Sequence, residues 1–541
     1  MLVNFFFFIF FYFLIFYSII GFGHLLCKII KLDTSKISYG IIGIIGIFFL
    51  TFLSYFTNLF LSHNKTHNLI ILILGFLLFF KFFFLNKNFN KKYILRSTAI
   101  VLLTLSAVFL SKNNEDFPYY HFSYIINLTE NKLEFGLSHF NQGFGTSSSV
   151  FYLASLFYLP FVDHYLFHIT GLIVLSLANI FFLDKFFFSK NINNKTTFFL
   201  SIFGFLFYNI VFWRLAEYGT DRAGQILVYI IIIKIFDLYY KWTKQSITII
   251  LFLIIYLLSF KSYFIFYSLL VFFLVERFLR NVKKNYISEL TFFFPAIIIS
   301  FLYLGLYFFK NFANTGCVVY PLPISCFPNF IWSRDLLTVS NLSTWFELWS
   351  KSGATPNYIV SDVNNYLENF NWVKNWFKNY FFYKFTDTFL GILAIAIIIL
   401  ICFRKNKKNY YTTVYPHQLF IYFYLLVLSS IWFLKHPDLR YGGYVILALL
   451  IFIPLSIFLS FYSSNLIEKK KIIILIAIVF IFFNIKNFNR IYQEFNRSDQ
   501  YKYTNFPFYA DKHLSKLDKK NSNQIENFSY KFYLNKKIDN K

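Results

Sequence analysis

Apolar runs of membrane-crossing length alternate with short polar segments along most of the chain. A helix that crosses a bilayer needs about 20 such residues. The runs predict fourteen spans, near residues 5–27, 37–61, 68–85, 93–111, 161–183, 197–213, 223–240, 246–259, 262–276, 290–309, 387–403, 416–434, 441–461 and 471–485. The pair at 246–276 is short and tightly joined, so the parity of everything downstream depends on it. The first run lacks a basic leader and a small-residue cleavage site, which predicts a retained helix.

Charge then orients the spans. Lys and Arg cluster in alternate loops, near 28–36, 87–96, 185–195, 241–244, 277–284, 404–408 and 469–471. The intervening short loops are almost bare, with only Lys65 in 62–67 and Lys261 between the paired runs. That alternation predicts that the basic loops are cytoplasmic and that both termini face out. The tail 486–541, though basic, then lies outside, which long tails tolerate.

Composition excludes a soluble fold. Hydrophobic residues make up 57% of the 541, with 82 Phe and 41 Tyr, and charged residues only 14%. No soluble core could hide so much aromatic surface. The formal charge of +26 is carried by the loop clusters, so it argues for the positive-inside pattern and not for nucleic acid.

Two long segments remain on the outside. Residues 112–160 are acidic, and 310–385 carry Trp332, Trp345, Trp349, Trp372 and Trp376. The second holds Cys317 and Cys326, eight residues between them and prolines nearby, in a compartment where disulfides persist. A bridge between them is expected. Cys27 and Cys402 end apolar runs and behave as small hydrophobes.

Candidate chemistry lies at the outer span ends. Glu115 and Asp116 follow the fourth span, where a carboxylate takes a proton from an acceptor hydroxyl or holds a divalent cation; the alternative is a pair of solvated capping acids. His121 and His139 either assist them or pack at the interface. In WRLAEYGTDRAGQILVYI, Asp221 and Arg222 open an apolar helix, as a cap or as a rim of the same cavity. Lys261 in LLSFKSYFIFY either snorkels to the interface or binds phosphate. WFLKHPDLRYGGY gathers His436, Asp438 and Arg440 in one turn, where Arg440 can clamp a phosphate or pair with Asp438. Internal acids that would form a proton relay are lacking, and no internal repeat supports a transporter.

This order of features resembles the GT-C class of polytopic membrane glycosyltransferases, which use polyprenyl-phosphate-linked sugars. Asp116, with Glu115 beside it, matches the carboxylate that the class places in its first external loop. Asp221 resembles the Asp that opens a later helix in bacterial members, and Lys261 their hairpin Lys. GLSHFNQGFGTSSSVFYLASLF, NTGCVVYPLP and HPDLRYGGY look like motifs of a largely uncharacterised bacterial family of membrane proteins. The resemblance spans roughly 93–460. Three extra spans precede the one that leads into the acidic loop, and the acids are adjacent instead of DxD, so metal use stays open.

The resemblance implies an all-α bundle of about fourteen spans in a bacterial cytoplasmic membrane, with its site facing outward. Residues 1–92 would be extra N-terminal helices and 93–309 the core, with its acidic loop at 112–160. Residues 310–385 would form an external lobe, 386–485 the C-terminal helices and 486–541 a basic tail. Sugar would pass from a lipid-linked donor to a glycan, lipid or protein. Asp116 would be the base, with Glu115 beside it, and Asp221, Arg222, Lys261, His436 and Arg440 would bind the lipid phosphate. No cofactor is implied beyond a divalent cation that Glu115 and Asp116 would hold if one is used. A gap of about 5–15 Å between Asp116 and Arg440 would admit the sugar phosphate. The alternatives are an O-antigen-type polymerase or ligase and a carrier for lipid-linked sugars.

Overall fold

A computed structural model describes residues 2–85, 91–109, 116–188, 194–216, 219–282, 286–354, 360–405, 416–463 and 469–496. In lipid every backbone N–H and C=O must be paired within its own segment, so the apolar runs become helices. The N-terminal part comprises α1 (Leu2–Ile29), α2 (Tyr39–Thr57), α3 (Lys65–Leu85) and α4 (Lys91–Leu103). Then come the short α5 (Phe122–Glu130) and α6 (Ser149–Ser155), followed by α7 (Ile169–Phe188), α8 (Lys195–Val211), α9 (Asp221–Tyr240) and α10 (Lys244–Leu258). After α11 (Val271–Asn281) and α12 (Tyr286–Thr315), the lobe holds α13 (Leu336–Lys351) and α14 (Val363–Leu367), and α15 (Val373–Trp376) follows it. The chain ends with α16 (Thr386–Phe403), α17 (Pro416–Lys435), α18 (Gly443–Tyr462) and α19 (Lys469–Asn496).

Polar residues between the runs set the helix starts. Ser38, Asn194 and Thr243 each accept a backbone N–H from the first turn of α2, α8 and α10. The most buried long helices are α7 and α9, with α8 packed on α18 and α1 against both α2 and α3. Close approach there rests on small residues: a Cβ on Gly21 of α1 would collide with the carbonyl of Gly75 in α3. Peripheral helices such as α12, α16 and α17 keep wide apolar faces exposed, as lipid-facing helices do.

Eleven helices among the described residues are long and apolar enough to cross a membrane. Three of the fourteen expected spans are shorter: Tyr93–Leu103, Lys195–Val211 and Lys244–Leu258. The first stops because the chain tightens into a 3-10 turn at Leu105–Phe109. The other two start at polar caps, Asn194 and Thr243, and end where the chain leaves the helix at Phe212 and Ser259. The run at 262–276 extends instead to Ser262–Asn281, a tight turn merging with α11. The lobe is also narrower than 310–385, since α12 continues to Thr315 and Val373–Phe403 is one unbroken helical stretch.

The two long segments meet at one end of the bundle. Gly136 N donates to Ala313 O at 2.8 Å, and the Phe135 and Trp332 rings lie 4.9 Å apart. At the opposite end Gln245 Nε2 donates to Asp33 O at 2.9 Å, Lys405 N to Tyr462 O at 2.7 Å, and Lys244 pairs with Glu289. That end carries the lysine- and arginine-rich loops.

Candidate functional site

Asp116 opens the site. It precedes a π-turn, Phe117–His121, and makes no side-chain cap bond to it. Its carboxylate instead accepts from Arg440 Nη2 at 2.7 Å. The solvated-cap alternative fails here, because the carboxylate faces a guanidinium and not the turn's own N–H groups. Glu115 lies outside the described residues.

Asp221 begins α9 with its side chain only 8% exposed, so a charge at that helix start must be neutralised. Lys261 Nζ reaches its Oδ1 at 2.6 Å and Arg440 Nε its Oδ2 at 3.2 Å. The positive end of α9 adds to that stabilisation. Lys261 therefore does not snorkel: it sits in an extended link before the turn Ser262–Leu270 and points at Asp221.

The turn carrying Arg440 is held from several sides. Asp438 is not its ion-pair partner, contrary to the simplest local expectation. The Asp438 carboxylate caps the turn, accepting Arg440 N at 2.9 Å and the Tyr380 hydroxyl at 2.7 Å. Trp376 Nε1 donates to Pro437 O at 2.7 Å, Trp432 Nε1 to Asp438 O at 2.8 Å, and Gln225 Nε2 to Arg440 O at 3.1 Å. Tyr263 adds a hydroxyl to the same carbonyl at 3.1 Å. Gly442, at φ +94°, then reverses the chain into α18, a conformation costly for other residues.

Four charged side chains from four separate parts of the chain thus form one network. Arg440 bridges Asp116 and Asp221, and Lys261 takes the other oxygen of Asp221. The expected gap between Asp116 and Arg440 is closed to contact. A carboxylate and a guanidinium partly withdrawn from water gain most when they touch. The Arg440 side chain remains 41% exposed and lies 5.8 Å from the Trp349 ring, so an edge of it is open to a ligand.

Burial pushes the Asp116 carboxyl up, but Arg440, His121 and Lys261 together hold it below the usual carboxylate value. Burial lowers Lys261, yet Asp221 and Tyr120 raise it above an ordinary lysine. Arg440 is likewise held charged against burial by Asp221 and Asp116. Burial drives His121 down to about 4, so it is neutral at pH 7. It is 2% exposed and neither ring nitrogen has a hydrogen-bond partner. It feels all four charges of the network, Asp116 most.

The remaining candidates stand outside the network. Arg222 turns to Phe212, 5.6 Å from its ring, with Tyr444 beside it. His436 lies 5.5 Å from the Tyr441 ring, facing the lobe near Glu347. His139 Nε2 bonds Trp332 O at 3.0 Å, a packing role. Cys317 and Cys326 are joined in a disulfide. Among the described residues no group of three or more His, Cys, Asp or Glu could hold a metal ion.

Sequence reasoning missed Gln225, Tyr263 and Tyr380, which position Arg440. Gln225 did leave a signal, an uncharged polar residue one turn after Asp221, just before the apolar run of the helix. The tyrosines left none among 41.

No curated protein and no solved structure matches the chain. Residues 5–447 match the family described as a domain of unknown function (DUF8201), and the chain belongs to that family.

Proposed function

We propose that this protein is a GT-C-type membrane glycosyltransferase that moves a sugar from a polyprenyl-phosphate-linked donor to an envelope glycan, lipid or protein. The observation that carries the reading is the bridge from Asp116 through Arg440 to Asp221 and Lys261. It sets a carboxylate beside two cations at one mouth of a lipid-facing bundle. Three shorter apolar helices would complete fourteen crossings of a bacterial cytoplasmic membrane. The basic loops lie at the opposite end, which favours an outward-facing site.

In this mechanism a phosphate oxygen of the donor competes with Asp116 for the guanidinium of Arg440. Guanidinium binds phosphate and carboxylate by the same paired N–H geometry, so exchange is direct. The freed carboxylate loses its strongest stabilising charge and becomes more basic. It then takes the proton of the acceptor hydroxyl as that oxygen attacks the anomeric carbon. The bond from that carbon to the phosphate oxygen breaks, and the electron pair leaves with the lipid phosphate, held by Arg440 and Lys261. A positioned base contributes about 10²–10⁴-fold to such a step.

The test is release of lipid phosphate by the purified full chain in nanodiscs, supplied with a panel of polyprenyl-phosphate sugars and envelope acceptors. Sugar transfer that is lost in Asp116→Asn supports the reading. Donor binding or transbilayer movement with no release across the panel would replace it with the carrier alternative.

A further inference from the structure

Between Lys310 and Arg334 the chain has no charged residue. The segment leaves the top of α12, forms the loop closed by Cys317–Cys326, and folds back along the helix it came from. Phe327 N donates to Gly316 O at 2.9 Å, Arg334 N to Thr315 O at 3.0 Å, and Trp332 Nε1 to Phe312 O at 3.2 Å. The returning chain is therefore level with the last turn of α12 and does not stand above it.

It returns on a particular face. Ile298, Leu302, Gly305 and Phe309 are exposed and recur at three- and four-residue steps, so they form one apolar stripe along α12. Phe312 is the next position of that stripe. The rings of Phe330, Trp332 and Phe327 pack on it at 5.2, 5.7 and 5.9 Å. The inner side of the loop has a small core of its own, built from Cys317, Tyr320, Val339 and Leu342. The outer side leaves Leu322, Phe327, Phe330 and Ile331 exposed, and Ile324 is 90% exposed.

We propose that Leu322–Ile331 is a lipid-surface anchor, seated in the interfacial layer of the bilayer at the site's end of the bundle. The apolar stripe of α12 continues onto it without a charged residue to keep it in water. A Trp with its indole N–H satisfied suits that layer. The disulfide keeps the loop from spreading, so its apolar side chains are presented together. The proposal rests on α12 being a span and is independent of the transferase reading.

Spin labels test it in the full chain in phosphatidylethanolamine–phosphatidylglycerol nanodiscs. Labels would be placed by Ile324→Cys, Ile331→Cys and, as a control in the lobe, Asn341→Cys, each with Cys402→Ser. Collisions with oxygen should exceed those with a water-soluble nickel chelate at 324 and 331, and the order should reverse at 341. Nickel access at 324 equal to that at 341 would overturn the proposal. Shielding of 324 from both reagents would also overturn it, since a protein partner and not lipid would then cover the loop. In the unmodified chain, lipids with photoreactive tails should crosslink to 322–331. Crosslinks to α12 without any to the loop would refute it without a substitution.

Discussion

Asp116 and Arg440, 324 positions apart, form a 2.7 Å ion pair in which the same guanidinium also holds Asp221. One arginine thereby ties the first long loop to the start of α9 and to the turn before α18. The carboxylate best placed to act as a base is restrained by the cation best placed to hold a phosphate, which couples the two roles.

Asp116→Asn is expected to lower transfer by about 10²–10⁴-fold, the contribution of a positioned base. Donor binding should be retained or tightened, because Arg440 loses a competitor. Arg440→Ala should weaken donor binding as well as rate. Single-turnover kinetics alongside equilibrium binding of the lipid donor separate the two. Weaker donor binding in Asp116→Asn would contradict the competition between carboxylate and phosphate.

Lys261→Met leaves Asp221, 8% exposed, with one cation in place of two. Removing a partner from a buried pair costs about 3–5 kcal/mol. Thermal unfolding in nanodiscs should show a clear loss, larger than that for Lys36→Met, whose bridge to Asp33 is on the surface. Equal effects would mean that Asp221 is neutralised some other way.

His121 gives the fold a pH dependence of its own. Its folded value, about 4, lies below the ordinary 6.5, so the native state favours the neutral ring. Its contribution is complete above pH 6.5 and is lost as pH falls from 6.5 towards 4, at up to about 1.4 kcal/mol per pH unit. His121→Phe should flatten the acid limb of stability by close to one proton in that window. Denaturation followed at pH 7, 6 and 5 measures this, and an unchanged slope would place the titration elsewhere.

The Cys317–Cys326 bridge should appear as a linked peptide in non-reducing mass mapping. For so short a loop its chain-entropy contribution is roughly 2–3 kcal/mol. Reduction should therefore raise proteolysis of 317–331 before it affects the bundle. Two free thiols in the oxidised preparation would remove the bridge from the description.

The helices were legible in the sequence because hydropathy and capping are local: a run of apolar residues must satisfy its own backbone in lipid wherever it packs. The positions of Asp116, Asp221, Lys261 and Arg440 at span ends were legible for the same reason. Which acid meets which base was not. An isolated Asp at a helix start reads equally as a cap or a ligand, and Asp438 and Arg440, two residues apart, suggest each other. Only packing shows that Asp438 caps its own turn while Arg440 reaches across to α9 and to the first long loop. The three short helices and the return of Phe330 onto Phe312 belong to the same class. Chain direction after a turn, and contact between residues far apart in sequence, depend on the summed packing of many side chains, which no local pattern encodes.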